Sequence, residues 1–431
     1  MKEIIKNIKN TLNTYYLTIS LLSITTIYLN ILIYLSYNQA EINDSNLKLI
    51  LTLIFGSILS LVIKHILMRF KNNNYLYLII PLSMLIVYFG ILNDLNSHIP
   101  IMQYLILDLS LILSLFAIPF INKKNDSYYY TYKLLVSLLI TFIAYILLIL
   151  GILGTLFSIS LLFEINIASH LYTNISIFIL GIIMPSIFLT IIPQMNVKNE
   201  DYPNYINKII MFVILPILII YTIVLYAYFL KILLEFNWPS NMLGNLIIYY
   251  SLISIIVLYF INNISNKYTN LFKKIYPYTL IIPLIMMLIT FIIRINEYGF
   301  TEIRYYGTLL FIFVLLSILL IKKMHKVKYI PIVLSVLLLI SAFGPMSSFN
   351  ISINSQEKRL ENILIDNNML INNKIIINNN INEESKDKIR SIITYFYSNN
   401  LLDRIDVLPN NFKIENMEEV FGFSYLKIIE Y

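Results

Sequence analysis

The chain has 431 residues, enough by length alone for two or three soluble domains. Composition excludes them: 58% of the residues are hydrophobic and 13% are charged, against about 25% charged in a soluble domain. With a mean hydropathy of +0.76 and a net charge of +7, this is a polytopic membrane protein. No Cys is present, which removes disulfides, thiol nucleophiles and Cys-based metal sites. Ten Gly is few for a transporter built from broken helices.

A spanning helix needs about 20 mostly apolar residues that satisfy their own backbone. Such runs fall at about 15–36, 47–63, 75–92, 100–121, 134–157, 170–192, 209–230, 241–261, 276–293, 305–321 and 329–349. The expected fold is therefore an all-α bundle of about 11 transmembrane helices. The apolar stretch Leu134 to Phe163 would be roughly 45 Å of helix. It should tilt or break, with Gly151 and Gly154 as the places where it would give. Pro216 predicts a kink in the seventh run. Pro331 starts the last run and Gly344-Pro345 interrupts its far end.

Lys and Arg gather on one side. That side holds Lys2, Lys6 and Lys9, then Lys64, Arg69 and Lys71, then Lys123, Lys124 and Lys133. It continues with Lys198, Lys208, Lys267, Lys273 and Lys274, and ends with Lys322, Lys323, Lys326 and Lys328. The other side holds only Lys48, Lys231, Arg294 and Arg304. This places the N-terminus in the cytoplasm, and eleven spans place the C-terminus outside it. The first run is too long for a secretory signal and lacks an A-x-A site, so it reads as a retained start-transfer helix. The basic clusters follow from topology and lipid charge, and need no nucleic acid.

Composition shifts near Asn350, dividing the chain into a bundle (1–349) and a small extracytoplasmic C-terminal domain (350–431), α/β or mostly α. In the domain, Leu360, Ile363 and Leu364 share a helical face, and Lys374 to Ile377 is a short β-type run. Ile389, Ile392, Ile393 and Phe396 stand at i, i+3, i+4 and i+7 of an amphipathic helix over 383–397. Glu383 and Glu384 occupy its first turn, where the helix dipole favours acids. Glu418 to Ile429 predicts one more helix.

Two places could carry chemistry. The stretch Arg294-Ile-Asn-Glu297-Tyr-Gly299-Phe-Thr301-Glu302-Ile-Arg304-Tyr305-Tyr306 joins the ninth and tenth runs on the outer face. Arg294 and Glu297 can pair on one helical turn, and Gly299 permits a reversal that brings Glu302 and Arg304 alongside. The cluster is either an interfacial salt-bridge turn or a site where Arg grips an anionic head group. Asp108 is the sole acid well inside a run, and any ion pair would need Lys64 or Lys231 to reach in. Asp94, His98, Glu164 and His170 could meet on a metal only if two loops came together, so no metal site and no cofactor are assigned. No Walker loop, nucleophile elbow, dinucleotide fingerprint or HExxH occurs.

Besides Arg294–Tyr306, a second stretch runs from Phe343-Gly-Pro-Met-Ser-Ser-Phe-Asn-Ile-Ser352 through Ser355-Gln356 to Arg359-Leu360. Tyr202-Pro203, Leu225-Tyr226-Ala-Tyr228-Phe-Leu-Lys231 and Trp238-Pro239 accompany them. In order and spacing these stretches resemble a family of bacterial multi-span membrane proteins catalogued as a domain of unknown function, number 4153. The resemblance covers residues 200–431, and the first half by hydropathy alone. Met346 stands where the resemblance leads one to expect Trp. It implies an inner-membrane protein and supplies no catalytic residues.

Three functions are compatible with these features. The first is a non-enzymatic envelope protein whose bundle displays the C-terminal domain to membrane lipids, an envelope component or a protein partner. The second is a secondary transporter using Asp108. The third is an enzyme acting on lipid-linked substrates, with Glu297 or Glu302 as base and Arg294 and Arg304 holding phosphate.

Overall fold

The structure, a computed structural model, describes residues 9–38, 43–70, 74–92, 98–120, 128–164, 166–193, 202–235, 243–372, 374–378, 380–409 and 411–425. Among the described residues each apolar run falls on a helix, the last of them only as far as Ala342. These are α1 (Tyr16–Tyr37), α2 (Asp44–Phe70), α3 (Asn74–Ile91) and α4 (His98–Ala117). Next come α5 (Tyr128–Phe163), α6 (Ser169–Ile191), α7 (Asn204–Glu235) and α8 (Leu243–Ile261). After them come α9 (Lys267–Thr279), α10 (Ile281–Tyr298), α11 (Glu302–Lys322) and α12 (Ile330–Ala342). By length and apolarity, eight helices among the described residues can cross a membrane, with α9 and α10 counted together. Tyr75–Ile91 and Leu246–Ile261 are shorter apolar helices, and α12 has 13 residues.

Two features of the bundle sharpen what the sequence leaves open. Helix α5 runs unbroken for 36 residues through both Gly151 and Gly154. In α7 the adjustment precedes the proline: Ile210–Ile214 is a π turn, after which Leu215-Pro216 re-enters α-helix. The extra residue of a π turn absorbs the register change that a proline without N–H imposes.

Helices α1, α2, α3, α4 and α6 form one half of the bundle, and α7 to α11 the other. Helix α12 bridges them by packing against both α4 and α11. Its contact with α4 is sealed by Ser110 and Ser335. Their hydroxyls lie 2.9 Å apart, and each also donates to the other's carbonyl, at 3.2 and 3.0 Å. Small side chains let two backbones approach this closely. The start of α5 joins the second half through Tyr128, buried edge-on against Phe120 and Tyr259. The outward faces are apolar, as at Leu150 (66% exposed) and Ile223 (62%), a surface that only lipid can cover. The chain is a multi-pass integral membrane protein.

The C-terminal region is small and mostly helical. Helix α13 (Ser348–Asp366) carries the Leu360, Ile363 and Leu364 face and is capped by Ser347, whose hydroxyl accepts from the Asn350 N–H. A two-stranded antiparallel ribbon follows, β1 (Leu370–Ile371) with β2 (Lys374–Ile375). Helix α14 (Glu383–Ser398) buries Ile389, Ile392, Ile393 and Phe396 completely, as their spacing predicts. The last described helix, α15 (Met417–Phe421), is shorter than expected because Gly422 ends it in the left-handed conformation, φ +79°. Residues 426–431 lie outside the described residues. Leu360, Leu364, Phe396, Met417 and Phe421 share one core, against which Ile99 of α4 also packs.

Candidate functional site

Helix α10 ends at Tyr298 because Gly299 takes φ +69°, ψ −178°, a conformation open essentially to Gly. The reversal leaves the Tyr298, Gly299 and Phe300 carbonyls without helical partners. Helix α13 answers two of them. Gln356, 2% exposed, donates its amide to the Tyr298 and Phe300 carbonyls at 2.9 and 2.7 Å. The Phe300 N–H donates to Ser355 Oγ at 2.9 Å, and Arg359 adds a longer bond to the Tyr298 carbonyl at 3.3 Å. A Cβ on Gly299 would lie 2.9 Å from Gln356 Nε2 and 3.1 Å from Ser355 Oγ, so the close approach also requires Gly.

All four charged residues proposed from sequence gather around this junction. Arg304 donates to the Gly299 carbonyl at 2.9 Å and lies over the Tyr298 ring at 5.2 Å. Glu302, in the first turn of α11, accepts from the Tyr395 phenol of α14 at 2.6 Å. Arg294 and Arg359 lie close enough to Arg304 for their charges to act on it, with Glu297 opposing. Burial disfavours the Arg359 charge, and Tyr298 and Glu297 offset part of that penalty. The quartet is thus part of a larger junction that includes Ser355, Gln356, Arg359 and Tyr395. The spacing of Gln356 and Arg359, one helical turn apart, was the available signal.

Two more contacts extend the junction. Tyr305 donates to the Met346 carbonyl at 2.7 Å, and the Tyr306 and Ser348 hydroxyls are 3.0 Å apart. The 294–306 and 343–359 stretches are therefore one structure. The position where Trp was expected contributes its backbone carbonyl, which explains how Met can stand there. Chemically the arrangement is a clamp: donors on α11 and α13 hold the carbonyls of one turn.

Asp108 sits apart, 6% exposed. It hydrogen-bonds Tyr104, one turn earlier on α4. Neither lysine considered for it reaches in: Lys64 lies over the Tyr77 ring at 4.7 Å, and Lys231 pairs with Glu235 at 3.8 Å. His170 packs on the rings of Tyr37 and Tyr34, at 4.4 and 5.9 Å, and Asp94 lies outside the described residues. No group of three metal-binding side chains occurs among the described residues.

Fold and junction together define a multi-pass helical membrane protein with a C-terminal region docked on it. The chain belongs to the family described as Domain of unknown function (DUF4153), whose model matches residues 13–374. The match reaches well into the first half, which by sequence resembled the family by hydropathy alone, and stops before α14. An uncharacterized protein of Pasteurella multocida (strain Pm70) is 30% identical over 156 residues. That stretch covers 34% of this chain and 26% of the relative, so the chain spans about a quarter of that protein's length. No solved structure matches the chain.

Proposed function

We propose that the protein is a non-enzymatic scaffold of the bacterial inner membrane, whose bundle holds residues 350–431 outside the cytoplasm as a rigidly oriented domain. The carrying observation is Gln356, a buried side chain of the C-terminal region that donates to two carbonyls of the α10–α11 turn. A flexibly tethered domain has no use for such a bond; a presented one does. Membrane lipids and an envelope component or protein partner are its ligands in this reading. The Lys and Arg bias supports a cytoplasmic N-terminus. Eleven spans follow if α3, α8 and α12 cross along with the eight longer segments. The engagement of Glu302 by Tyr395 and of Arg304 by backbone supports a structural role for the turn over a catalytic one. The pairing of Lys64 and Lys231 elsewhere speaks against a charge relay at Asp108.

The test uses the full chain in cells. A photo-crosslinking residue at exposed Tyr397 or Ile371 is expected to give a discrete adduct. The adduct should weaken when Gln356→Ala loosens the junction. A reporter fused after Tyr431 and active only outside the cytoplasm should be active. Solute uptake into proteoliposomes that Asp108→Asn abolishes would overturn the scaffold reading.

A further inference from the structure

A cavity of about 680 Å³ lies between α7 and α9, far from the C-terminal junction. Its size is within the roughly 300–1,000 Å³ of ordinary ligand sites. Helix α7 contributes Met211, Leu215 and Ile219, and α9 contributes Tyr268, Leu271 and Ile275. The hydroxyls at its floor are engaged with protein: Thr222 with Tyr250 at 2.7 Å, Tyr276 with Tyr250 at 3.1 Å, and Tyr226 with the Thr279 carbonyl at 2.7 Å. An occupant therefore meets an apolar wall. The mouth faces outward from the bundle, since the lining residues Phe212 and Tyr268 are 70% and 75% exposed.

Helix α9 has the build of an interfacial helix. It is short and Lys-rich, with Phe272 and Tyr276 buried on one face. Its start is held by an Asn266–Thr269 capping box, and Lys273 donates to the Ile264 carbonyl at 2.9 Å. Lys267 stands four residues before Leu271 and Lys274 three residues after it, so both flank the cavity-lining face. On α7, Lys208 stands one turn before Met211 and Phe212, just ahead of the π turn. All three lysines are exposed. No acid opposes them on α8, on α9, or on α7 before Glu235.

We propose that this cavity binds one acyl chain of an anionic phospholipid, with the phosphate of its head group held by Lys208, Lys267 and Lys274. An apolar cavity open to lipid would accept any chain. The one-sided lysines at its mouth select the negative head group, each strengthening attraction at a membrane surface. The inference stands on residues remote from Gln356 and does not depend on the scaffold reading.

The experiment uses the full-length protein with Trp238, the sole tryptophan, changed to Phe. A reporter is placed in the cavity wall by Ile223→Trp, or on the same helix outside the cavity by Leu230→Trp. Each protein is reconstituted in phosphatidylcholine vesicles carrying either brominated phosphatidylglycerol or brominated phosphatidylcholine, and quenching is compared. Preferential quenching by phosphatidylglycerol is expected at position 223 and not at 230. The preference should fall about fivefold for each of Lys208→Gln, Lys267→Gln and Lys274→Gln. Ile275→Phe, which fills the cavity without touching a lysine, should lower quenching at 223 by both lipids. Equal quenching by the two lipids at 223 would reduce the site to ordinary boundary lipid and overturn the proposal. So would a preference that survives all three lysine changes, or quenching at 223 unaltered by Ile275→Phe.

Discussion

The Tyr395 phenol donates to Glu302 Oε1 at 2.6 Å, joining α14 to the first turn of α11 across 93 residues of sequence. Burial, reinforced by the Glu302 carboxylate, pushes this phenol far above its usual pKa, so it remains a donor at any physiological pH. A hydrogen bond to a charged acceptor contributes about 1.5–3 kcal/mol. Partial exposure of both side chains reduces that to about 1 kcal/mol here. Tyr395→Phe should therefore lower the unfolding midpoint of the purified full chain. A cycle of Tyr395→Phe, Glu302→Gln and the double change should show positive coupling. Additive effects would mean that the two groups do not stabilise one another.

Gly299 offers a cleaner separation of strain from contact. Gly299→Ala meets both, since φ is +69° and the new Cβ would sit 2.9 Å from Gln356 Nε2. Gly344→Ala meets strain alone: φ is +82°, and nothing lies within 4 Å of the added carbon. Such backbone strain costs about 1–3 kcal/mol. Both variants should lose folded yield in fluorescence-detected size exclusion, Gly299→Ala more. Adding Gln356→Ala should partly rescue Gly299→Ala and leave Gly344→Ala unimproved.

Phe396 is fully buried, and its removal should cost about 3–5 kcal/mol. The C-terminal region is small and has little reserve. In membranes opened to protease from both sides, Phe396→Ala should be cut within residues 350–425 while the bundle persists as a resistant fragment. Loss of the bundle in step would show that the two regions fold as one cooperative unit.

The start of α14 should respond to acid. Hydrogen bonds from Lys386 and Lys388 hold the Glu383 and Glu384 carboxylates below their usual pKa. The unfolded value is about 4.3. The stability these carboxylates add is therefore complete above that pH and is lost as pH falls through their lower folded values. Both groups are fully exposed, so the effect is small and should fade with added salt. Protection of the first α14 amides from hydrogen exchange, relative to an unstructured chain at the same pH, should fall below about pH 4. In Glu383→Gln that step should be reduced.

Helix positions were legible in the amino-acid sequence because a bilayer leaves the backbone no alternative to satisfying itself. The buried face of α14 was legible for the matching reason in water: Ile389, Ile392, Ile393 and Phe396 repeat with the helical period. The junction was legible only in part. Arg304 and Glu302 announced themselves as charges beside an apolar run, but their partners are a backbone carbonyl and a tyrosine 93 residues away, and neither leaves a local pattern. In sequence Gln356 stands in the Ser355-Gln356 stretch with no partner to reveal its role. Its partners are the carbonyls freed by Gly299, visible once the positive φ is known. Sequence leaves α5 the choice between tilt and break, because two glycines weaken a helix in water by about 1 kcal/mol each. In hydrocarbon a broken hydrogen-bond ladder costs more than that.

The unbroken α5 is longer than the hydrocarbon layer it crosses. Its apolar part, from Leu134 to Phe163, is roughly 45 Å long against about 30 Å of hydrocarbon. The excess can be absorbed by leaning or by stretching nearby lipid chains, each with an elastic penalty of fractions of a kcal/mol per Å. Near its start α5 is anchored: Ser137 donates to the Ile191 carbonyl at 2.9 Å, and Tyr128 and Leu134 are buried. In its far half, Leu150, Leu161 and Leu162 are exposed. Mismatch with the bilayer therefore falls on the length of α5 beyond the Ser137 contact.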